Sequence, residues 1–397
     1  MAGIHGAPAV GLVGLHGYGA SHLRELDRLA GLGQARLAAC ADVVAPGEEA
    51  TAVLSRLGAE HFTDWRLMLG QRHDLDVLVV ATPLHLHADM CRAAFERGLH
   101  VLVEKPPFVS LEDFDALSAL ASRKGALCQV GFQSTGSAAL GRLHQVVAGS
   151  ELAGPVEVVA AGQWRRPRSY WYRSRWAGRE VLDGALVRDG AFSNPFAHAV
   201  MNCVLAAGAG TGERVAAFAA ERYRANPIEV EDTGCMRVEL AGGRSFVVAL
   251  TLCAEELEPP ALEVRGPGGQ VVWPYETDAL QFSVGGRSWQ EHFERQSLLG
   301  QLVDLVAGRP GAGLSCPLER SRPFVEVVEL LHSLPVREVP PEHVRWHGEG
   351  MEAYPVLAGV GGAVHGTSRT GRLFSQLDVP WAVPGGPGAG CVTTGAR

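Results

Sequence analysis

A short apolar run, Val10-Gly11-Leu12-Val13-Gly14-Leu15, ends in the glycine cluster Gly14-Leu15-His16-Gly17-Tyr18-Gly19 and leads directly into an amphipathic stretch from Ser21 to Leu32. A second apolar run, Arg36-Leu37-Ala38-Ala39-Cys40-Ala41, is closed by Asp42, 23 residues beyond Gly19. Strand, tight turn, helix, strand and acid in that order describe a βαβ unit. Its turn lets a pyrophosphate approach a helix N-terminus, and its acid accepts ribose hydroxyls. His16 occupies the place of the second glycine in the usual spacing, with Gly17 beside it. Asp42 is followed by Val43-Val44-Ala45 with no arginine nearby in sequence, which favours NAD over NADP.

The alternation continues through the first third of the chain. Pro46 to Leu57 reads as a helix, and Asp76 to Ala81 as a strand stopped by Thr82-Pro83. Leu86 to Arg97 is helical and ends at Gly98; His100 to Val103 is a strand. Ser110 opens a further helix with Asp113 placed as in a capping box, and Leu127 to Phe132 is another strand. Near-continuous apolar strands separated by helices predict a doubly wound parallel sheet.

After about residue 135 the pattern changes. Thr135 to Ala148 reads as a helix. Longer strand-like runs follow at Val156–Trp164, Val215–Arg222, Gly234–Leu240, Ser245–Leu252 and Ala261–Arg265, then apolar-periodic helices near Trp289–Ala307 and Leu318–Leu334. From about Glu349 the chain is rich in Gly and Pro and reads as an irregular tail. The expected architecture is α/β: an N-terminal Rossmann domain over 1–134, an α+β domain with a large, mostly antiparallel open sheet over 135–348, and a tail over 349–397.

Composition narrows the function. The net charge of −8 argues against a general nucleic-acid binder, whose phosphate contacts need a basic surface. No apolar run approaches the roughly 20 residues that span a bilayer, so no membrane partner is expected. Met1 to Gly6 carries neither a basic nor a long apolar segment, and the expected compartment is the cytoplasm. The eight cysteines are scattered without zinc-site spacing, as small core residues would be.

Lysine usage picks out one position. Of 35 Lys and Arg residues only Lys105 and Lys124 are lysines. A lysine kept where the chain otherwise writes Arg points to a task that Arg cannot perform, such as losing a proton or acting as a compact charge. Lys105 sits in Glu104-Lys105-Pro106-Pro107, directly after the His100–Val103 strand, and ligands bind outside the carboxyl ends of such strands.

The glycine loop, Ala81-Thr82-Pro83-Leu84-His85-Leu86-His87 and Gly98-Leu99-His100-Val101-Leu102-Val103-Glu104-Lys105-Pro106 together resemble the Gfo/Idh/MocA (glucose–fructose oxidoreductase / inositol dehydrogenase) family over roughly residues 8 to 335. The resemblance implies an NAD-dependent oxidoreductase acting on a secondary hydroxyl of a sugar, sugar acid or cyclitol. It implies a second domain that binds substrate and assembles the chain into a homodimer or homotetramer. It places the cofactor along Gly14, His16, Gly17, Tyr18, Gly19, Asp42, Thr82, Pro83, His87, Glu104 and Lys105, with Lys105 also at the reacting hydroxyl. The Lys105–Pro106 bond becomes a candidate cis peptide. The family's Asp-x-Gly-x-His segment falls on Asn194-Pro195-Phe196-Ala197-His198, which makes His198 the catalytic histidine. Asn194 replaces the acid, and Asp189, five residues upstream, is a candidate substitute. Two other readings stay open: an NAD-using glycosidase of the same family, and a non-catalytic NAD- or sugar-binding sensor, which His16 and Asn194 favour.

The residues also speak without the family. Asn194 suits a helix N-cap and Pro195 the first helical position, which places His198 in the first turn. There the helix dipole disfavours imidazolium, so the ring can accept a hydroxyl proton; a structural, hydrogen-bonded histidine is the plain alternative. His85 and His87 lie two apart before a helical segment, and no metal is expected. The run Trp164 to Trp176 is the densest aromatic and basic patch. Aromatic faces pack on sugars and Arg forks bind carboxylates, which makes Trp164, Arg173 and Trp176 candidate substrate contacts with Asp189, Asn194 and His198. A loop-packing or inter-subunit surface is the competing reading.

Overall fold

The structure, a computed structural model, describes residues 6–208 and 213–382 and the backbone of Val392–Thr393. The chain forms two compact units, Met1–Gly136 with Gln296–Ser321 and Ser137–Arg295 with Arg322–Arg397.

The first unit holds six strands: β1 (Ala9–Val13), β2 (Arg36–Ala41), β3 (Glu60–Phe62), β4 (Val77–Val80), β5 (His100–Val103) and β6 (Cys128–Val130). They lie parallel in the order β3-β2-β1-β4-β5-β6. Every residue of β1 and β4 is buried, as strands covered on both faces must be. Helices α1 (Gly19–Gly31), α2 (Glu48–Leu57), α3 (Trp65–Gln71), α4 (His87–Glu96) and α5 (Leu111–Lys124) cross between them. The expected cap of α5 forms, with Ser110 Oγ accepting the Asp113 N–H at 3.2 Å. Because strand order reverses between β1 and β4, a crevice opens at their carboxyl ends. The helix Leu298–Val306 returns to this unit, and Leu298, Leu299, Leu302, Val303 and Val306 enter its core beside Val10, Leu12 and Leu26.

In the second unit the strands are β7 (Glu157–Arg165), β8 (Val181–Leu182), β9 (Ala185–Leu186), β10 (Val215–Arg224), β11 (Thr233–Leu240), β12 (Ser245–Thr251), β13 (Cys253–Gly266), β14 (Gly269–Trp273), β15 (Ala279–Val284) and β16 (Arg287–His292). They are followed by β17 (Val336–Glu338), β18 (Val344–His347), β19 (Tyr354–Leu357) and β20 (Val392–Thr393). The main sheet runs β16-β15-β14-β13-β7-β12-β11-β10-β17, with β20 beside β10. Its pairs are antiparallel except β12 with β7 and β10 with β17. Helices α6 (Ala138–Ala148), α7 (Arg168–Trp171) and α8 (Ala197–Ala206) precede β10, and α8 packs on β7, β12 and β13. Pro259 and Pro260 sit in β13 where its register against β7 shifts, which is how a sheet accommodates prolines.

Two expectations need correction. Trp289, expected at the start of a helix, lies in β16, paired with Phe282 of β15. Residues from 349, expected to be irregular, form β19, a 3-10 turn and the helix Val360–Thr370. Val360, Val364, Phe374 and Trp381 share a buried core with Tyr223, Cys235 and Ala249. Apolar burial at about 25 cal/mol per Å² outweighs the poor helix propensity of the glycines in that segment. The rest of the expected tail beyond 382, Cys391 included, lies outside the described residues apart from β20. Among the described residues no helix is long and apolar enough to cross a membrane.

Candidate active site

The turn between β1 and α1 has the geometry of a phosphate cradle. Gly14 takes φ +90°, and a Cβ there would stand 2.2 Å from the Ala81 carbonyl oxygen; a Cβ on Gly19 would stand 2.2 Å from the Gly14 oxygen. These two glycines close the turn from beneath. Gly17 at φ +58° has nothing within 4 Å of its Cβ position, so the turn is open above it. The first turn of α1, with Tyr18 at the N-cap, carries no acid and no side-chain cap that would compete with an anion for the helix end. Tyr18 instead sets its ring edge-on to His22. These features fit a dinucleotide.

His16 does not disturb this cradle. Its φ is not positive, and its half-exposed ring places Nδ1 3.1 Å from Asp42 Oδ2. Asp42 also accepts the Leu15 N–H at 2.7 Å and the Val44 N–H at 2.9 Å. Burial by itself would raise the pKa of this carboxyl, but the two N–H donors and the His16 ring overcome it and hold Asp42 below the usual carboxylate range.

Along the same carboxyl edge, Thr82 gives its hydroxyl to Met90 Sδ, Pro83 precedes the 3-10 turn Leu84–Leu86, and His87 opens α4. His87 is buried, with Nδ1 2.9 Å from the Pro106 carbonyl and Nε2 2.9 Å from the Thr82 carbonyl. It thus ties the end of β4 to the end of β5. Burial, opposed by those carbonyls, lowers its pKa. The Lys105–Pro106 peptide is cis, as the resemblance implied, and Lys105 is half-buried.

Glu104 is buried and anchored. Its Oε1 lies 2.8 Å from His22 Nε2 and accepts from Gln133 Nε2 at 3.3 Å, while Oε2 accepts the Lys105 N–H at 3.3 Å. Gly131 makes the space, since a Cβ there would meet Glu104 Oε1 at 2.5 Å. His22 was missed from the sequence, where its one signal was a place on the apolar face of α1. Through it the cradle helix and the Lys105 loop share a buried hydrogen bond.

The second unit carries Asp189, Asn194 and His198. Asn194 is not the helix cap. α8 starts at Ala197 with Phe196 at its N-cap position and no side-chain cap. Packing moves the start: Phe196 is fully buried, stacks on Trp164 at 4.3 Å, and crosses Gly162, where a Cβ would lie 2.5 Å from its ring. The Asn194 side chain turns instead to Asp189, with Nδ2 2.6 Å from Oδ1. Asp189 is fully buried, and its Oδ2 accepts the Gly178 N–H at 2.8 Å and Arg173 Nη2 at 3.4 Å. His198 lies in the first turn of α8 as expected, its ring 6.3 Å from that of buried Tyr275.

A buried ion pair supports this turn. Arg222 Nε donates to Glu231 Oε2 at 2.8 Å, both residues being nearly inaccessible. Glu231 also accepts the Phe192 N–H, and a Cβ on Gly190 would fall 2.1 Å from its Oε1. Neither charge stood out in sequence, because each lies within an ordinary strand or loop.

The aromatic and basic patch is an ordered ladder. Arg166 lies over the rings of Trp164 (4.7 Å) and Tyr170 (5.1 Å), and Arg173 over Tyr170 (3.8 Å) and Trp176 (4.7 Å). Trp164 joins the ladder to Phe196, and Arg173 joins it to Asp189. Trp164, Arg173, Trp176, Asp189 and Asn194 are therefore linked within one unit by direct contacts.

Comparison with known proteins agrees with this geometry. Residues 9–132 match the family described as an oxidoreductase family with an NAD-binding Rossmann fold. The scyllo-inositol 2-dehydrogenase (NAD(+)) of Bacillus subtilis is 30% identical over 104 residues, 26% of this chain and 30% of that protein. The 4-carboxy-2-hydroxymuconate-6-semialdehyde dehydrogenase of a Sphingobium strain is 28% identical over 145 residues, 36% of this chain and 44% of that protein. The chain thus spans less than half the length of these curated relatives. Among solved structures, the WlbA dehydrogenase of Bordetella pertussis, in complex with NADH and UDP-GlcNAcA, superposes with a TM-score of 0.66 at 21% identity, covering 82% of this chain and 96% of that one. A levoglucosan dehydrogenase in complex with NADH gives 0.63 at 18% identity, covering 82% and 97%. Through residues 9–132 this chain carries the NAD-binding Rossmann domain of the Gfo/Idh/MocA oxidoreductase family.

Proposed function

We propose that this protein is an NAD-dependent dehydrogenase that oxidises a secondary hydroxyl of a sugar, sugar acid or cyclitol. One observation carries the reading: the open glycine turn after β1 and the Glu104-Lys105-Pro106 loop after β5 leave the same carboxyl edge of one parallel sheet. A dinucleotide cradle and a singled-out lysine on one edge suit chemistry on a bound cofactor better than simple storage of a nucleotide.

Gly14, Gly17, Gly19 and Asp42 would hold NAD, which supplies hydride acceptance when bound. The Lys105 ammonium would polarise the substrate oxygen and stabilise charge as the hydroxyl loses its proton. His198 would take that proton at a ring nitrogen. Asp189 is already committed to Asn194, Arg173 and the Gly178 N–H, so its role here is to fix the turn ahead of His198.

The test is a fluorescence titration with NADH and NADPH, followed by NAD⁺ reduction assays over a polyol and sugar panel. Micromolar NADH binding with oxidation of a panel member supports the reading. Failure to bind either nucleotide would end it. Release of free sugar from a glycoside without NADH accumulating would replace it with the glycosidase alternative.

A further inference from the structure

The ladder that leads to the Asp189–Asn194 turn includes Arg166, a cation that, like its neighbour Arg165, meets no carboxylate at ion-pair distance among the described residues. Arg173 pairs with Asp189 at 3.4 Å. The adjacent Arg165 donates to the Tyr354 hydroxyl at 3.0 Å and to the Glu255 carbonyl at 2.8 Å. Arg166 has no carboxylate at ion-pair distance among the described residues. Its Nη1 donates to the Arg165 carbonyl at 3.2 Å, the guanidinium also hydrogen-bonds the Tyr170 side chain, and its Nε is buried with no hydrogen-bond partner. The guanidinium is nonetheless held in place, between the Trp164 and Tyr170 rings. Aromatic faces orient a guanidinium while leaving its in-plane N–H donors unused, and those donors match an oxyanion in a planar, bidentate fashion. A chain with net charge −8 has no shortage of carboxylates to neutralise such a group, yet none does so here.

Its place in the fold ties it to the proposed chemistry. Through Trp164 it reaches Phe196, two residues before His198; through Tyr170 and Arg173 it reaches Asp189 and Asn194. Both ends of the ladder terminate on the turn that carries the proposed base.

We infer that the substrate is an anionic sugar, and that Arg166 receives its carboxylate or phosphate oxygens. This inference rests on the dehydrogenase reading and narrows its substrate class. Neutral cyclitols and hexoses then become poor substrates, because they bring no counter-charge to the guanidinium.

The test is NAD⁺ reduction by the full chain with D-glucuronate, D-glucose 6-phosphate, D-glucose and myo-inositol. Parent protein is compared with Arg166→Met and Arg166→Lys, each checked for folding by circular dichroism and for NADH affinity. The expected result is a KM at least tenfold lower for one of the two anions than for the neutral compounds. Arg166→Met raises that KM at least tenfold with kcat changed less, and Arg166→Lys recovers part of the loss as a point charge. Glucuronate and glucose 6-phosphate separate carboxylate from phosphate. Oxidation of neutral compounds with equal or better kcat/KM, or an anion preference that survives Arg166→Met, overturns the inference while the dehydrogenase reading stands. NADH binding with no oxidation of any of the four overturns both.

Discussion

Asn194 Nδ2 stands 2.6 Å from Asp189 Oδ1, so a neutral amide occupies the position where an aspartate would set a second carboxylate against a buried one. The amide donates where a carboxylate cannot, and it completes a set of donors from Gly178 and Arg173 around Asp189. Asp189 is thereby held in place by Asn194, Arg173 and the Gly178 N–H, five residues ahead of Asn194 in the chain.

Asn194→Asp should destabilise the protein in a pH-dependent way. Two carboxylates at this distance cannot both ionise, so one of the pair has its pKa raised in the folded state. A raised folded-state pKa means the folded form gains from protonation, and that gain is lost as pH rises through it. The loss in urea-unfolding free energy relative to the parent should be larger at pH 8 than at pH 5. Asn194→Ala, which only removes a donor from a buried acceptor, should cost about 1–3 kcal/mol with little pH dependence. Equal behaviour of both variants across pH would show that Asp189 is not held as an anion.

Gly14 and Gly17 should respond differently to alanine. Gly14→Ala forces a Cβ to within 2.2 Å of the Ala81 carbonyl at φ +90°, so the end of β4 must move and the thermal midpoint should fall steeply. Gly17→Ala meets no atom within 4 Å and pays only for a left-handed backbone, about 1–2 kcal/mol. Its main effect should be on NADH affinity, because the methyl enters the open side of the turn. If Gly17→Ala binds NADH as tightly as the parent, the dinucleotide does not approach this turn from that side.

Acid stability should depend on His87. Its burial lowers the folded-state pKa, while in the unfolded chain the ring titrates near 6.5. Above that pH both states are neutral and the ring contributes nothing to the pH slope. Below it the unfolded chain binds a proton that the folded chain does not, so stability falls as pH falls. Unfolding free energy should decline from pH 7.5 to pH 5, and His87→Gln should show a shallower decline. His100 and His332, also lowered chiefly by burial, contribute in the same direction, so the slope flattens without vanishing.

The first unit was largely legible because its strands are continuous apolar runs bounded by glycine, and β2, β5 and the cap at Ser110 fall where expected. Asp64, whose side chain accepts the Arg66 N–H at 2.8 Å, was an available but overlooked cap signal for α3. β16 was misread because its residues are mostly exposed and lack alternation. The Gly285-Gly286 pair, both at positive φ, was the hairpin signal that should have outweighed an apolar count. The helix Val360–Thr370 was hidden by its own glycines. Two of them are packing contacts: a Cβ on Gly361 would press on Gln163 at 3.0 Å, and one on Gly366 on Leu377 at 2.9 Å. Motif spacing named Gly14, Asp42, Lys105 and His198 as candidates, but capping rules mislaid Asn194. Its partner was set by how Phe196 packs on Trp164, which no local pattern encodes.

The two lysines offer a matched pair for the last test. Lys124 is exposed at the end of α5 and donates to the Glu96 carbonyl at 3.0 Å, a surface contact worth little. Lys105 follows a buried strand and a buried glutamate at the carboxyl edge of the sheet. Lys124→Met should leave turnover and NADH affinity near those of the parent and cost well under about 1 kcal/mol of stability. Lys105→Met should lower kcat by about 10²–10⁴-fold, the range for a positioned proton-transfer or charge-stabilising group, with NADH affinity nearly intact. Lys105→Arg should not restore it, because the guanidinium cannot release a proton and its planar fork replaces a compact charge. The assay is single-turnover NAD⁺ reduction beside an NADH fluorescence titration on each variant. Near-normal turnover in Lys105→Met would remove Lys105 from the chemistry and leave the cradle as a binding site alone.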